Sequence, residues 1–152
     1  MTAPVTVDVV RARLATVHDP EIPTVSIVDL GLVHSISVAD ERIAIELLPT
    51  FVACPALELI RAGVVDALAG LGDSVDVSFT FATPWTTERL TEGGRSGLRR
   101  AGIAPPAEPA DVRCPFCNSG QVAIDSLFGP ALCRSLFYCR DCRQPFEAFK
   151  PI

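Results

Sequence analysis

No stretch of this sequence stays apolar for the roughly 18 residues that a membrane-spanning helix needs. The N-terminus also lacks the basic-then-apolar layout of a secretory leader. Both absences point to a cytoplasmic protein with no membrane role. Histidine is scarce, at two residues, and no Ser/His/Asp set stands out for nucleophilic catalysis. No glycine-rich loop of the phosphate-cradling kind is present. Basic residues are outnumbered, 13 Lys+Arg against 18 Asp+Glu for a net charge of -5. No basic stripe suits a nucleic-acid backbone, so nucleic acid is not an expected partner.

What remains is 152 residues, 49% of them hydrophobic. That is enough for one ordinary core, or for a small domain plus a metal-stapled module. The charge is uneven. Residues 1–111 hold 8 Lys+Arg and 15 Asp+Glu, a net of -7, whereas residues 112–152 hold 5 and 3, a net of +2. There are six cysteines. In a chain without a leader they favour metal or catalytic roles over disulfides.

Periodicity predicts an α+β protein: an α-β-β-α-β-α domain over residues 1–102, a Pro/Ala-rich linker over 103–111, and a β-rich four-cysteine zinc ribbon over 112–152. Val5, Val9, Val10, Leu14 and Val17 keep helical spacing up to His18-Asp19-Pro20. Strands follow at Val33–Val38 and around Ile43, Ile45 and Leu47, with Asp40 and Glu41 in the turn. Pro55 suits the first position of a second helix, which carries Leu57, Ile60, Val64, Leu68 and Leu71 on one face. Val75, Val77, Phe79 and Phe81 alternate as a third strand, and 86–101 reads as a last helix.

The sharpest motif is Cys114-Pro-Phe-Cys117, then 21 residues, then Cys139-Arg-Asp-Cys142. Two C-x-x-C knuckles complete a tetrahedral four-sulfur shell, which suits structural Zn²⁺ and leaves no open catalytic position. Four thiolates also bind iron. Phe116, Phe137, Tyr138 and Phe146 are the expected packing residues around it. Cys133 is a fifth thiol within the ribbon, either a small buried residue or an extra functional thiol.

Cys54 precedes Pro55 at a helix start, where unpaired N–H groups and the positive dipole end favour thiolate. The position fits a cysteine packed in a loop equally well. Asp19, Glu21 and Asp29 lie in loops that can share one end of a small sheet. As bland alternatives, Asp19 and Asp29 suit turns, Gly31 suits positive φ, and Thr86 or Thr87 suits a helix cap. His18 reads as a helix-end residue. His34 is in phase with Ile36 and Val38, near the core edge.

Taken together, Asp19-Pro20-Glu21-Ile22-Pro23, Asp29-Leu30-Gly31-Leu32-Val33, Cys54-Pro55-Ala56 and Pro84-Trp85 resemble the metal–sulfur cluster biosynthesis domain of SufT-like factors. With Glu92-Gly93-Gly94-Arg95, Gly102–Pro106 and the ribbon cysteines, the chain resembles the PaaD (or PaaJ) family, accessory proteins of phenylacetyl-CoA epoxidase systems. It departs from that pattern at Phe51–Ala53, Leu90 and the Lys150–Ile152 tail.

The resemblance implies an accessory protein of phenylacetate catabolism that is not itself an enzyme. Such a protein assists iron–sulfur or di-iron centre assembly in a partner subunit, above all the iron–sulfur reductase. Cys54, assisted by Asp19 and Glu21, would handle transient iron or a cluster, and two copies could share a metal as a homodimer. The alternative is a non-catalytic adaptor that uses the ribbon as an interface within the oxygenase complex.

Overall fold

The structure, a computed structural model, describes residues 4–152. The chain forms two compact units, Met1–Trp85 and Thr86–Ile152. Each has its own sheet: three strands in the first and four in the second.

In the first unit, the Thr6 hydroxyl accepts from the Val9 N–H and starts α1 (Val7–Leu14). Its buried residues are Val10 and Leu14, one turn apart. The helix stops short of the expected Val17, because residues 15–32 form consecutive turns instead. Bonds from Asp19 N–H to the Val25 carbonyl and from Ile27 N–H to the Val17 carbonyl fold this segment onto itself. β1 (Val33–Ala39) and β2 (Arg42–Leu47) pair antiparallel around a two-residue turn. Asp40 and Glu41 both take positive φ there, 48° and 61°, the twist a tight hairpin requires.

α2 (Leu57–Leu68) carries the chain across to β3 (Ser74–Phe79), which lies parallel to β2 in the order β1-β2-β3. Ile60, Val64 and Leu68 are spaced one turn apart and buried, as are Ile43, Ile45 and Leu47 from alternate positions of β2. Each such side chain contributes about 1.5–3 kcal/mol relative to exposure. Two expectations are corrected here. Phe81 lies beyond β3 and is exposed. His34 is exposed as well, because β1 bulges between Val33 and Ser35. The extra residue breaks the two-residue phase that placed His34 with Ile36.

In the second unit, the helix expected over 86–101 is divided. A single 3₁₀ turn covers Thr87–Arg89, and α3 (Glu92–Arg100) begins where the Thr91 hydroxyl accepts from Gly94 N–H. Thr91 is therefore the cap, and Thr86 makes no side-chain cap bond. The residues expected to be linker carry β4 (Ile103–Ala104) and a 3₁₀ turn at Pro109–Asp111. Ile103 and Ala104 are buried because β4 pairs in parallel with β7 (Pro145–Phe149). β5 (Val122–Ser126) and β6 (Arg134–Cys139) complete the order β4-β7-β6-β5. Phe137 and Phe146 stack with ring centroids 5.6 Å apart, beside Val112, Ala148, Cys114 and Cys139. Phe116 and Tyr138, expected in this packing, are exposed instead.

Candidate functional site

Two sites come from the sequence motifs, and they differ in how completely they are assembled. In the second unit, one knuckle lies at Cys114–Cys117 ahead of β5, and the other joins the end of β6 to β7. Bonds from Asn118 N–H to the Cys114 carbonyl and from Cys114 N–H to the Ser119 carbonyl close the first, with Asn118 at a φ of 61°. The bond from Cys139 N–H to the Gln144 carbonyl closes the second.

Both knuckles aim their sulfurs at one point. All four Sγ atoms lie within 4.8 Å of one another, with Cys114–Cys142 and Cys117–Cys139 each 3.6 Å apart. A tetrahedral shell with metal–sulfur bonds of about 2.3 Å places sulfurs about 3.8 Å apart. The spacing therefore fits one Zn²⁺.

The electrostatics fit as well. Hydrogen bonding, foremost from the Cys142 N–H, brings the Cys139 thiol down to about 7. Burial pushes Cys142 up to about 12. Only a cation at the centre would hold all four as thiolates near neutral pH. Cys133 is buried outside this group, and its carbonyl accepts from Lys150 N–H.

The site in the first unit is looser. Helix α2 begins at Leu57 with Ala56 as its N-cap, so Pro55 sits in the preceding turn and not at the first helical position. Cys54 is half-buried there, and its carbonyl accepts from Leu57 N–H. The expectation of a thiol favouring thiolate is reversed. Burial, the largest cause, pushes the Cys54 thiol up, and the charges of Glu21 and Asp19 add to this. A hydrogen bond from the Ala56 backbone only partly offsets them.

Those two charges acting on the Cys54 sulfur show that the chain brings Cys54, Glu21 and Asp19 to one place. Even so, among the described residues only the four ribbon cysteines form a group of three or more metal-type ligands. The Cys54 site is thus not a closed chelate.

The loops around Cys54 are held by local polar bonds. Asp19 is buried, and its Oδ1 accepts from Glu21 N–H at 2.7 Å and Ile22 N–H at 3.0 Å. The turn role and the proximity to Cys54 therefore coexist in one residue. The Ser26 hydroxyl accepts from Asp29 N–H and donates to the Asp29 carboxylate, in a turn that ends at Gly31 with φ 76°. Trp85 is buried, and its indole N–H donates to the Leu30 carbonyl at 2.9 Å. Sequence reading passed over Ser26, whose spacing to Asp29 is a capping signal. It had Trp85 only as a strand breaker and part of a motif.

These features agree with the proteins the chain resembles. Residues 8–79 match the model of an iron–sulfur cluster assembly protein family, and residues 101–150 match that of the PaaD zinc beta ribbon domain. Among solved structures, the first is a domain of unknown function, DUF59, from Bacillus anthracis. It is 27% identical with a TM-score of 0.57, over 60% of this chain and 89% of that one. A conserved hypothetical protein from Thermotoga maritima is 30% identical with a TM-score of 0.56, over 64% of this chain and 98% of that one. The PaaD-type component of the 1,2-phenylacetyl-CoA epoxidase of Escherichia coli (strain K12) is 37% identical over 99% of this chain and 96% of its own length. The chain belongs to the PaaD family, with an iron–sulfur assembly segment ahead of a zinc ribbon.

Proposed function

We propose that this protein is a cytoplasmic accessory factor of a phenylacetyl-CoA epoxidase system in phenylacetate catabolism. In this reading it does not catalyse oxygenation. It assists assembly of an iron–sulfur or di-iron centre in another component of the system, above all the iron–sulfur reductase. Cys54 receives iron or a cluster transiently, with Asp19 and Glu21 beside it, and the ribbon holds a structural Zn²⁺.

The observation that carries this reading is the cluster of one thiol and two carboxylates within a segment matching an iron–sulfur assembly family. A proton-loaded thiol next to two negative charges is eased by a divalent cation, which displaces the proton and offsets the carboxylates. The incomplete ligand set suits cargo in transit. A second copy of the chain or the client would supply the remaining ligands.

The test is Cys54→Ser in cells that make the whole system. The variant is expected to fold and keep its zinc, while the reductase purified from those cells is poor in iron and sulfide. Fully loaded reductase would refute the maturation role. It would favour a non-catalytic adaptor in which the half-buried Cys54 is only a packing residue.

A further inference from the structure

The sequence shows no phosphate-binding stripe because its relevant arginines are dispersed. The fold gathers three of them. Arg95 and Arg99 lie one turn apart on α3, and Arg113 immediately precedes the first knuckle. All three line a cavity of about 560 Å³ in the second unit. We propose that this cavity binds an organic phosphate carrying a planar ring, of the size and kind of a nucleotide moiety.

The cavity volume falls within the range of small-molecule sites. Each guanidinium offers five N–H donors in a planar fork that matches phosphate oxygens in pairs. The forks are partly fixed in place. The Arg95 guanidinium donates to the Pro106 carbonyl at 3.4 Å and to the Thr87 carbonyl at 3.5 Å. Arg113 packs against Gly120, where an added Cβ would come within 3.2 Å of its Nη1. Arg99 is tied loosely to Glu92 at 3.4 Å, an exposed pair that a phosphate can displace.

The ring platform is Phe116. It also lines the cavity and is 58% exposed. It lies against Gly102, where a Cβ would sit 3.3 Å from the ring and where φ is +75°. One part of the ring is thus supported while much of it stays open for stacking, which accepts any planar base.

Asp111 is the one carboxylate on the wall. With zinc bound, the tetrathiolate centre formed in part by Cys114 and Cys117 adds a charge of -2. The local sum is then near zero, so recognition rests on directed N–H donors and not on net charge. This site uses none of Cys54, Asp19 or Glu21 and stands apart from the maturation reading.

The test is calorimetric titration of the full-length, zinc-loaded protein with ADP, coenzyme A, inorganic phosphate, adenosine and hexaglutamate. Saturable binding of ADP and coenzyme A is expected, with weaker competition by inorganic phosphate and none by adenosine. Tighter ADP identifies a free nucleotide, and tighter coenzyme A identifies a thioester's nucleotide handle. Arg113→Ala and Phe116→Leu should each weaken binding roughly tenfold with zinc content unchanged. Should Arg113→Ala lose zinc, Arg99→Gln, exposed on α3, carries the same expectation. The proposal is overturned if neither ADP nor coenzyme A binds at millimolar concentration, if the variants bind as tightly as wild type, or if hexaglutamate binds more tightly than ADP.

Discussion

The two units solve the same problem, enclosing a small core, by different means. Met1–Trp85 encloses fully buried aliphatic side chains such as Leu14, Ile27, Ile45, Leu47 and Leu68 between helices and a three-stranded sheet. Thr86–Ile152 has a thinner core, and two of the seven residues in its buried cluster are the metal ligands Cys114 and Cys139. Charge follows the same division. The first unit has four basic against eleven acidic residues, a net of -7, and the second has nine against seven, a net of +2. The first unit can hold its fold through apolar burial and leave Cys54 free for chemistry. The second spends its clustered thiols on holding itself together.

Removing the metal breaks this comparison most strongly. Small zinc modules draw an apparent ~10–16 kcal/mol from their ion, more than the whole stability of many domains. A chelator, or Cys139→Ser, should abolish amide-exchange protection in β5, β6 and β7 while β1, β2 and α2 keep theirs. Acid should act in the same direction, since metal release follows protonation of the thiolates as pH falls. Equal loss in both units would show that their stabilities are not separate.

The first unit has its own point of failure, which is polar. Trp85→Phe keeps most of the buried ring but removes the donor to the Leu30 carbonyl. A buried carbonyl left without that partner costs about 1–3 kcal/mol. Urea denaturation should show a drop of that order in the first unit, with zinc content unchanged. No loss would mean that water or another donor replaces the indole.

The ribbon was legible in the sequence because its ligands are adjacent in pairs and the spacing itself encodes the knuckles. The order of helices and strands was legible because Ile43, Ile45 and Leu47 keep a two-residue period and Ile60, Val64 and Leu68 keep a helical one. Features that depend on tertiary pairing were not. The bulge that exposes His34 adds one residue to a strand without any turn signal. β4 is two residues long and exists only because β7 lies beside it. The arginine-lined cavity joins positions 95, 99 and 113, which share no motif. At Cys54 the residues were legible but the sign of the effect was not. Helix-end electrostatics can be read from order along the chain, whereas burial and the charges of Asp19 and Glu21 require the folded loops.

That last contrast yields the smallest effect and the finest test. The ribbon thiols face a metal, while the Cys54 thiol faces two carboxylates. Its pKa is raised, so thiol predominates at neutral pH and the reactive thiolate appears only as pH climbs past the ordinary cysteine value. Alkylation of zinc-loaded protein, followed by peptide mass, should label Cys54 slowly at pH 7 and progressively faster toward pH 10. Glu21→Gln removes one of the charges that hold the proton on. The pKa should therefore fall, and labelling at fixed pH should speed up, by a factor below about ten because burial is the larger cause. A divalent iron salt added anaerobically should slow labelling of the wild type more than of Glu21→Gln, because the carboxylate helps recruit the ion. If Glu21→Gln left both the rate and the iron effect unchanged, Glu21 would be no part of the Cys54 site.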